Sequence, residues 1–463
     1  MAGGGVPGGR AARSAKVGQY IAGQAARNVG RRLSMMGRTA EAREVLAERS
    51  AMMKAQQIVA VLGSMKGSAM KLGQMGSVLD LDFVPEAHRE QFRAQLAALQ
   101  DRAPAMPFAT MRQVIEDDLG PLARSFAEFG ETSIAAASIG QVHRARLHDG
   151  RVVAVKVKYP GVERAVHADI SNLEFLGKMG KTMLPSLADT GVLEEVADNL
   201  RSELDYEREA RTQHRVAQRY RGHPFITVPD SIEEFCTHNV LVTEFVEGHP
   251  FSHMKTLPAA DRDHYGELIY RFYIAGLFAD NEFCGDPHPG NVLLAADGKL
   301  AFVDFGLYKE MDPAHVDFER YVLRAAAEGR GEDLFDAWVG RGIIDPDSQV
   351  TAQESLAYVW AATGWHLLDE KVTITPELAT GALLLAVDPR SSDFQGMHKQ
   401  MLPPEHVFSR RADLFTFATL GQLRATANWH ELAREWLYDE PARTETGRAI
   451  EQWRRDRGDQ PAR

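Results

Sequence analysis

The spacing of apolar residues changes along the chain, and each change predicts a different kind of element. Between about residues 17 and 100, apolar and small residues recur at the spacing of helices. Alternating apolar residues then predict strands over 133–146 and 151–158, which a turn at Asp149-Gly150 joins as a hairpin. From residue 313 onward the spacing is again helical almost to the end. This order predicts an α+β fold in which a small sheet lobe precedes a larger helical lobe.

Shorter elements lie between these regions. The same patterns predict helices over 109–118, 162–184, 190–218 and 260–282, and strands over 225–228, 239–245, 291–295 and 300–304. The Asp297-Gly298 pair predicts a hairpin turn between the last two strands. Five segments are therefore predicted: a disordered arm over 1–15, a helical amino-terminal extension over 16–107, a sheet lobe with inserted helices over 108–246, a helical lobe over 247–440 and a polar tail over 441–463.

Composition and charge narrow the class of protein. Hydrophobic residues make up 44% of the 463 residues and charged residues 25%, which is typical of a soluble globular chain with a large core. The net charge of −11 argues against a nucleic-acid partner. The two cysteines, Cys236 and Cys284, do not make a disulfide framework and fit a reducing cytoplasm. No run of about 18 apolar residues appears, so no spanning helix is expected.

The amino-terminal region differs in charge from the rest of the chain. Its first 47 residues contain eight basic side chains and two acidic ones. A basic helix over 17–38 is compatible with peripheral contact with an anionic membrane surface. The alternative is a solvated arm, which is the preferred interpretation for residues 1–15.

The strongest chemical signal is the loop GDPHPGN, which contains Asp286 and Asn291 and is followed by Asp304-Phe305-Gly306. Phosphoryl transfer on a kinase scaffold needs a carboxylate beside the attacking group, and an amide and a second carboxylate that hold magnesium. Asp286 and Asn291 have the five-residue spacing of the first two groups, and the prolines between them require a loop. The predicted hairpin then returns Asp304 to their side. A lone Asp-Phe-Gly is often a surface turn, so the ordered pair carries the prediction.

A lysine inside an apolar strand is the second signal. Lys156 ends the stretch VAVK, where a kinase lysine would reach the α- and β-phosphates and pair with a helix glutamate. The alternative is an edge-strand lysine that faces water, as the alternating Lys158 suggests. Ahead of this strand, where kinases have a glycine-rich loop, the chain has Ala135, Ala136, Ala137, Ser138 and then Gly140. Alanine restricts positive φ, so this loop is predicted to cover phosphates differently.

Charged residues on two predicted helices complete the pattern. Lys71 shares a helix face with the residue three positions later. On a continuous helix, Asp205 and Glu209 would share a face while Glu203 points away from both. One of these acids is expected to pair with Lys156 and another with Lys71, and the choice between them stays open. A solvated helix face is the alternative for both signals.

Taken in order, these motifs resemble those of the UbiB family of atypical kinases, also described as aarF-domain-containing kinases. The resemblance covers about residues 55–425, and it rests on KxGQ (Lys71, Gly73, Gln74), the alanine-rich loop (Ala135 to Gly140), VAxK (Lys156), ExD with a later glutamate (Glu203, Asp205, Glu209), DPHPGN (Asp286, Asn291) and DFG (Asp304). The first two motifs are specific, because ordinary protein kinases have neither.

The resemblance implies a protein-kinase-like two-lobed fold with an added helical amino-terminal extension, and it implies ATP and Mg²⁺ as cofactors. ATP would lie between the lobes, with Lys156 on its phosphates, Asn291 and Asp304 on the metal, and backbone groups of Glu244 to Val246 on adenine. The KxGQ helix would fold over the pocket. The residues with catalytic roles would then be Asp286, Lys71, Gln74, Glu203 and Asp205, and those that bind the cofactor would include the alanine-rich loop, Lys156 and Glu209.

The implied activity is ATP hydrolysis or phosphorylation of a small or lipid substrate, in support of isoprenoid quinone metabolism at a membrane. Quinone-pathway proteins and an anionic membrane surface are the implied partners. Two departures from the family weigh against ordinary turnover and membrane insertion. Cys284 stands where the family commonly has histidine, and the carboxy-terminal tail is polar where several relatives have hydrophobic helices.

Two other functions compete with an active atypical kinase. One is a nucleotide-binding pseudokinase that acts as a scaffold for a lipid-biosynthetic complex. The other is a small-molecule kinase of the aminoglycoside-phosphotransferase type, against which the KxGQ motif and the alanine-rich loop count. No clustered ligand spacing supports a histidine metal site, so His143, His249 and His288 are expected to form hydrogen bonds.

Overall fold

The computed structural model of this chain describes residues 106–168, 170–171, 198, 200–379 and 404–458. The predicted arm and amino-terminal extension lie outside these residues, and so do Lys71 and Gln74. Most of the predicted helix over 162–184 also lies outside them. The predictions for those segments stay predictions.

The described residues form helices and strands with the following bounds. The main helices are α1 (Phe108–Leu119), α2 (Leu122–Ser125), α3 (Tyr206–Tyr220), α4 (Phe251–Met254), α5 (Ala259–Tyr270), α6 (Gly276–Asp280), α7 (Pro313–Ala327), α8 (Gly331–Gly340), α9 (Ala352–Thr363), α10 (Pro404–Leu423), α11 (Trp429–Leu437) and α12 (Glu445–Arg457). The strands are β1 (Phe126–Ala136), β2 (Gly140–Leu147), β3 (Val152–Lys158), β4 (Ile226–Thr227), β5 (Val240–Glu244), β6 (Gly248–Pro250), β7 (Glu282–Cys284), β8 (Val292–Ala295), β9 (Leu300–Phe302), β10 (Tyr308–Glu310), β11 (Lys371–Thr373) and β12 (Thr426–Asn428).

The chain divides into two compact units. The first, here called the sheet unit, contains the described residues up to Tyr206 together with Glu234–Val242. The second, here called the helical unit, contains Glu207–Glu233 and the described residues from Thr243 onward. The α+β class is confirmed, because strands dominate the first unit and helices the second.

The sheet unit is organised by a four-stranded sheet in the order β1-β2-β3-β5. Alternation along β3 buries Val153, Val155 and Val157 completely, as the period of two predicts for a strand with one face in the core. The single strand predicted over 133–146 is wrong, because the chain turns back between β1 and β2. Ala137 N–H donates to Gly140 O (2.8 Å) and closes this hairpin.

The predicted helix over 190–218 is interrupted at Leu204 and Asp205, and α3 begins only at Tyr206. In a continuous helix the carbonyl of Leu204 would accept a backbone N–H one turn later. Here the buried ammonium group of Lys158 donates to that carbonyl instead. The break places Asp205 outside both helical segments.

The helical unit has a sheet of its own, in the order β4-β9-β8-β6. Its β8–β9 hairpin turns at Gly298, whose φ of 85° is readily adopted only by glycine, so the predicted Asp297-Gly298 turn is confirmed. The predicted helix over 260–282 is split, since α5 and α6 are joined by a π-helical segment, Arg271–Ala275. Such segments are often found at functional sites.

Large aromatic side chains fill the core of the helical unit. The rings of Phe272 and Phe302 stack with centroids 3.6 Å apart, and those of Phe278 and Trp436 stack at 3.9 Å. The first pair joins the π-helical segment to β9, while the second joins α6 to α11. Within the described residues, every helix is too short or too polar to cross a bilayer.

The segment predicted as a polar tail contains a docked helix. Arg457 of α12 donates to the carbonyl oxygens of Arg219 (3.0 Å) and Arg221 (2.8 Å) at the carboxy-terminal end of α3. Trp453 packs edge-on against the ring of His223, with centroids 4.6 Å apart. A cation at a helix carboxy terminus satisfies its last carbonyls and complements the helix dipole.

Candidate nucleotide and catalytic residues

The loop that carries Asp286 begins at the end of β7 in the helical unit. This strand pairs with β10, and Gly285 N–H continues the pairing by donating to Leu307 O (2.8 Å). A Cβ atom at Gly285 would lie only 3.1 Å from the Leu307 carbonyl oxygen, so the close pairing favours glycine. Asp286 itself is 6% exposed.

Internal hydrogen bonds fix the shape of this loop. His288 Nδ1 accepts from Gly290 N–H (3.0 Å), so His288 is a hydrogen-bonding residue, as the sequence predicts. Asn291 Nδ2 donates to the Asp286 carbonyl (3.3 Å), and the side-chain oxygen of Asn291 takes no part in this bond. From outside the loop, Thr419 of α10 donates its hydroxyl to the Pro287 carbonyl (2.9 Å). These hydrogen bonds hold the loop near Asp286 and at Asn291.

Asp304 is brought to this loop by the β8–β9 hairpin. Val292 and Phe302 are paired across the hairpin, and Val303 N–H donates to Asn291 O (3.1 Å). Asp304 Oδ1 then accepts from Gly306 N–H (3.1 Å). The structure therefore brings together the segments of Asp286, Asn291 and Asp304, as their order in the sequence predicts.

A further carboxylate, that of Glu209 on α3, lies beside the Asp-Phe-Gly segment. A Cβ atom on Gly306 would be 3.4 Å from Glu209 Oε2 and 3.5 Å from Asp304 Oδ1. Glu209 is 1% exposed, and its neighbour Arg208 donates to the carbonyl oxygens of Gly306 and Tyr308. Glu209 was predicted to bind the cofactor, and its nearness to Asp304 is compatible with that role.

The π-helical segment contributes Tyr273 to the same region. Tyr273 is 1% exposed, and its burial raises the pKa of its hydroxyl well above the ordinary value. Electrostatic repulsion from Asp286 and Asp304, and from Cys284 when its thiol is ionised, raises this pKa further. Tyr273 is therefore a neutral group beside both aspartates, and no motif of the sequence pointed to it.

Three polar side chains of these segments offer oxygen atoms that could bind a metal ion. Asp304 and Glu209 supply carboxylates and Asn291 an amide oxygen, and Mg²⁺ prefers such hard oxygen ligands. These residue types fit a magnesium ion with a bound phosphate. Among the described residues there is no group of three or more His, Cys, Asp or Glu side chains with the arrangement of a metal site.

In the sheet unit, the alanine-rich loop is the tip of the β1–β2 hairpin. Ala135 and Ala136 are exposed and pair with Val142 and Gln141 across the hairpin. No residue between 135 and 140 has a positive φ, which agrees with the stiffness expected of alanine. Ser138 donates its hydroxyl to Glu203, so two motifs that are 65 residues apart meet here.

Gly140 has a packing reason that the motif alone does not reveal. It is paired with Lys158 of β3, and a Cβ atom at this position would collide with the carbonyl oxygen of Val157. The strands approach closely here, so glycine is needed for the sheet itself. This residue was predicted as part of the cofactor loop, a role that its packing neither supports nor removes.

The two lysines of β3 flank one aromatic ring. The ammonium nitrogens of Lys156 and Lys158 each lie 5.1 Å from the ring centroid of Tyr206. Lys158 is 1% exposed and pairs with Glu163 (2.9 Å), so it gives no support to the alternative that the lysines of β3 face water. Lys156 is half-buried. Burial of a charged lysine requires a partner, which Glu163 and the Leu204 carbonyl supply for Lys158.

The acidic motif is arranged differently from the prediction. The helix is interrupted at Leu204 and Asp205, so Glu203 and Glu209 lie in different helical segments. Asp205 directly precedes α3, and the face that it is predicted to share with Glu209 stays a prediction. Glu203 is 8% exposed and Asp205 is exposed. Glu203 contacts the alanine-rich loop through Ser138, whereas Glu209 lies at Gly306 of the helical unit.

The predicted adenine-contacting segment follows β5. Glu244 N–H donates to Asp230 O (2.8 Å), and Asp230 N–H donates to Glu244 Oε2 (3.0 Å). The amide of Glu244 is therefore already engaged, while its carbonyl accepts from the Thr243 hydroxyl (3.3 Å). Val246 is half-buried beyond the end of the strand. The contact of Glu244 and Val246 with adenine stays a prediction.

His143 forms hydrogen bonds, as the sequence predicts. His143 is fully buried, its Nδ1 lies 2.8 Å from the Gly130 carbonyl and its Nε2 lies 2.9 Å from Gln141 Nε2. Burial lowers the pKa of His143, so the neutral ring donates at Nδ1 and accepts at Nε2. His249 is exposed, with its ring 4.3 Å from that of His253.

Comparison with known proteins identifies the class. The ABC1 atypical kinase-like domain model matches residues 98–331. Atypical kinase COQ8B of Rattus norvegicus is 33% identical over 277 residues, which are 59% of this chain and 52% of that protein. AarF domain-containing protein kinase 1 of Mus musculus is 34% identical over 256 residues, which are 53% of this chain and 47% of that protein. Among solved structures, the complex of Rv3197 with erythromycin from Mycobacterium tuberculosis is 30% identical, with a TM-score of 0.61, and the match covers 86% of this chain and 99% of that one.

The chain belongs to the ABC1 atypical kinase-like family, which is the UbiB family that its motifs resemble. Its fold is that of this kinase-like class, with a small antiparallel sheet and a larger helical portion. The chain spans about half the length of these two curated relatives.

Proposed function

We propose that this chain binds ATP with Mg²⁺ and transfers the terminal phosphoryl group to water or to a small or lipid acceptor. The observation that carries the proposal is the joining of two segments in the helical unit. The loop of Asp286 and Asn291 and the strand end at Asp304 are linked by the β8–β9 hairpin and by the bond from Val303 N–H to Asn291 O. A kinase-type reaction needs these three side chains together.

Each of these residues has a defined part in the proposed reaction. Asp286 accepts the proton of the attacking hydroxyl or water and orients it. Asn291 and Asp304 hold the metal, with Glu209 beside them. Bound Mg²⁺ would supply neutralisation of the charge on the β- and γ-phosphates. Because Asn291 Nδ2 donates to the Asp286 carbonyl (3.3 Å), the two residues keep a fixed relation to each other.

The sheet unit supplies the proposed phosphate-binding groups. Lys156 has the residue type and strand position for the α- and β-phosphates, and Ser138 and the backbone of the alanine-rich loop lie in the same unit. Lys158 has a different part, since its ammonium group is engaged by Glu163 and Leu204. We assign Lys156 to the nucleotide because it is the lysine of the VAVK motif.

Family membership supports the proposed setting of the reaction. COQ8B is named an atypical kinase, and the motif resemblance implies isoprenoid quinone or other lipid metabolism at a membrane surface. We extend that setting to this chain, with an anionic membrane surface and lipid- or quinone-pathway proteins as partners. The protein would then act in the cytoplasm and at the membrane periphery.

ATP hydrolysis by the purified chain with Mg²⁺ tests the proposal, with and without anionic liposomes. Asp286→Asn is expected to lower turnover by about 10²- to 10⁴-fold while nucleotide binding persists, because it removes the proton acceptor. The matched control is Asp336→Asn, which neutralises an exposed carboxylate of α8 and should leave turnover unchanged.

Each outcome of that experiment decides between functions. Turnover that anionic liposomes increase and that Asp286→Asn removes supports an enzyme of lipid chemistry. Tight binding of ATP without turnover would favour the nucleotide-gated scaffold, a function that the replacement of the family histidine by Cys284 makes worth testing. No binding of Mg²⁺-ATP would overturn both.

A further inference from the structure

Two glutamates face each other in the strand pair that flanks the catalytic segments. In the β7–β10 ribbon, Glu282 is paired directly with Glu310. Like charges in directly opposed positions of an antiparallel pair repel each other and weaken the pairing. Glu282 is also 5% exposed, so water does little to screen its charge. The ribbon therefore needs a cation at this position.

Arg215 of α3 is that cation. Its guanidinium group contacts Glu282 and also lies 3.2 Å from Glu310 Oε1, so one side chain bridges both strands. Arg219, one turn further along α3, contacts Glu282 (2.8 Å) and Asp280 (3.4 Å). Arginine suits this position because its planar fork can serve more than one carboxylate.

The two strands under Arg215 lead to the two catalytic aspartates. β7 ends at Cys284, two residues before Asp286, and β10 begins at Tyr308, four residues after Asp304. A shift of one strand relative to the other would therefore move the two carboxylates relative to each other. The ribbon has three paired positions, and the bonds from Gly285 N–H to Leu307 O and from Met311 N–H to Asn281 O extend it at either end. Its register contributes to the spacing of the two carboxylates together with the β8–β9 hairpin.

Helix α3 also contacts the ribbon through Arg208, near the start of β10. That side chain donates to the carbonyl oxygens of Gly306 and Tyr308, next to Glu209. Arg208, Arg215 and Arg219 recur at helical spacing, so they lie along one side of α3. One helix thus carries the carboxylate beside Asp304 and the cations that hold both strands.

We propose that Arg215 is a positioning residue, a charge clamp that fixes the register of the β7–β10 ribbon and with it the spacing of Asp286 and Asp304. The inference rests on the proposed function and adds to it the means by which the proton acceptor, Asp286, is aligned with the metal-binding Asp304. Arg215 acts through Glu282 and Glu310 and touches no reacting atom. The contribution of the Glu310 contact to overall stability is small, because the Glu310 side chain is 73% exposed.

A rescue experiment separates a charge clamp from ordinary packing. Arg215→Met keeps an apolar stem but leaves the two glutamates opposed, and the second change Glu310→Gln removes their repulsion. We expect Arg215→Met to lower kcat about tenfold and to raise the Mg²⁺ concentration for half-maximal turnover several-fold, with KM for ATP little changed. The double variant Arg215→Met with Glu310→Gln should regain kcat to within about threefold of the unmodified chain.

The matched control is Arg330→Met. Arg330 also bridges two acids of the helical unit, Glu328 and Asp333, but it lies at the start of α8, outside the ribbon. It should leave kcat and the Mg²⁺ requirement unchanged. Melting temperatures of all variants are recorded so that turnover is compared well below unfolding.

The outcomes distinguish the clamp from the proposed function. Unchanged kcat and Mg²⁺ requirement in Arg215→Met would overturn the clamp, and so would a loss that Glu310→Gln fails to restore. If the unmodified chain binds Mg²⁺-ATP without turnover, the Mg²⁺ requirement of nucleotide binding becomes the readout for the same variants. If the unmodified chain does not bind Mg²⁺-ATP, the proposed function fails and the clamp fails with it.

Discussion

Two regions of the molecule are held in different ways. One is the alanine-rich hairpin of the sheet unit, and the other is the loop of residues 285–291 in the helical unit, which is proposed as the catalytic loop. The hairpin tip exposes Ala135 and Ala136, and its side-chain link is from Ser138 to Glu203, 65 residues away. The catalytic loop is tied to neighbouring backbone at Gly285 and Asn291, and α10 holds it from outside. The loop combines its own internal hydrogen bonds with the distant bond from Thr419, whereas the side-chain link of the hairpin tip is to the distant Glu203.

This difference teaches where short motifs are informative. A loop that forms hydrogen bonds within itself, as this one does around His288 and Asn291, can have its shape predicted from its own sequence. A hairpin with exposed alanines has its function decided by the residues that it meets. The proposed roles are therefore best tested by changes that affect one region and leave the other intact.

The largest effect is expected for Asp304→Asn in the helical unit. The substitution removes a carboxylate proposed to hold the metal, and it should weaken Mg²⁺-nucleotide binding by at least about 100-fold. Calorimetric titration of ATP with Mg²⁺ measures this, and Asp336→Asn is the matched control. Unchanged binding would show that Asp304 does not hold the metal, and the proposed metal site in the helical unit would then be wrong.

The sheet unit should respond most strongly to Gly140→Ala. Since a Cβ atom there would collide with the Val157 carbonyl, the substitution should lower the free energy of unfolding by about 1–3 kcal/mol. Urea denaturation measures the change. Gly340→Ala is the control, because Gly340 has open space around it and no positive φ, and it should be neutral or slightly stabilising. Equal stability of the two variants would contradict the close approach of β2 and β3.

Acid should affect the helical unit through His223. Its Nδ1 accepts from the N–H groups of Phe225 and Ile226, and burial, with the positive charges of Arg454, Lys299 and Arg271, lowers its pKa to about 3. The folded state binds this proton more weakly than the unfolded state, whose pKa is near 6.5. Stability contributed by neutral His223 is thus complete above about pH 6.5, and it falls by about 1.4 kcal/mol per pH unit down to about pH 3.

The pH effect is isolated by comparison with His223→Asn, whose side-chain oxygen can accept the same N–H bonds without titrating in this range. Burial also lowers the pKa values of His143, His264 and His430, and these residues contribute equally to the pH dependence of stability in the unmodified chain and in His223→Asn. The difference between the two stability curves should therefore appear only below about pH 6.5. Parallel curves would show that His223 does not control acid stability.

How far the sequence could predict this molecule follows the same division. The Asp297-Gly298 turn and the spacing from Asp286 to Asn291 are local, so the sequence predicts the β8–β9 hairpin and the loop between these two residues, whose catalytic role stays a proposal. The break at Leu204 could not be predicted, because its cause is Lys158, 46 residues earlier in the chain. Tyr273 is placed by the π-helical segment, which no residue pattern indicates.

Charge was the other source of error. The acids of the ELDYEREA segment were interpreted for their own pairing, so the arginine within it was missed, although Arg208 binds the Gly306 and Tyr308 carbonyls. The alternation of Lys156 and Lys158 left open a face of β3 turned to water, but tertiary contacts with Glu163 and the Leu204 carbonyl bury Lys158. A periodic pattern specifies which face a residue takes, and it does not specify which partners lie there.

The smallest expected effect, and the sharpest test of the hairpin, is that of Ala136→Gly. Ala136 is exposed at the end of β1 and paired with Gln141, so removing its methyl group loosens the tip without opening the core. If the hairpin covers phosphates, affinity for ATP or ADP should change about two- to fivefold, since the loop then loses order that binding must restore. Calorimetry with both nucleotides measures this, and Ala296→Gly, exposed just beyond the end of β8, is the matched control. Unchanged affinity for both nucleotides would remove the alanine-rich loop from the proposed nucleotide site and leave Lys156 as the main phosphate-binding group of the sheet unit.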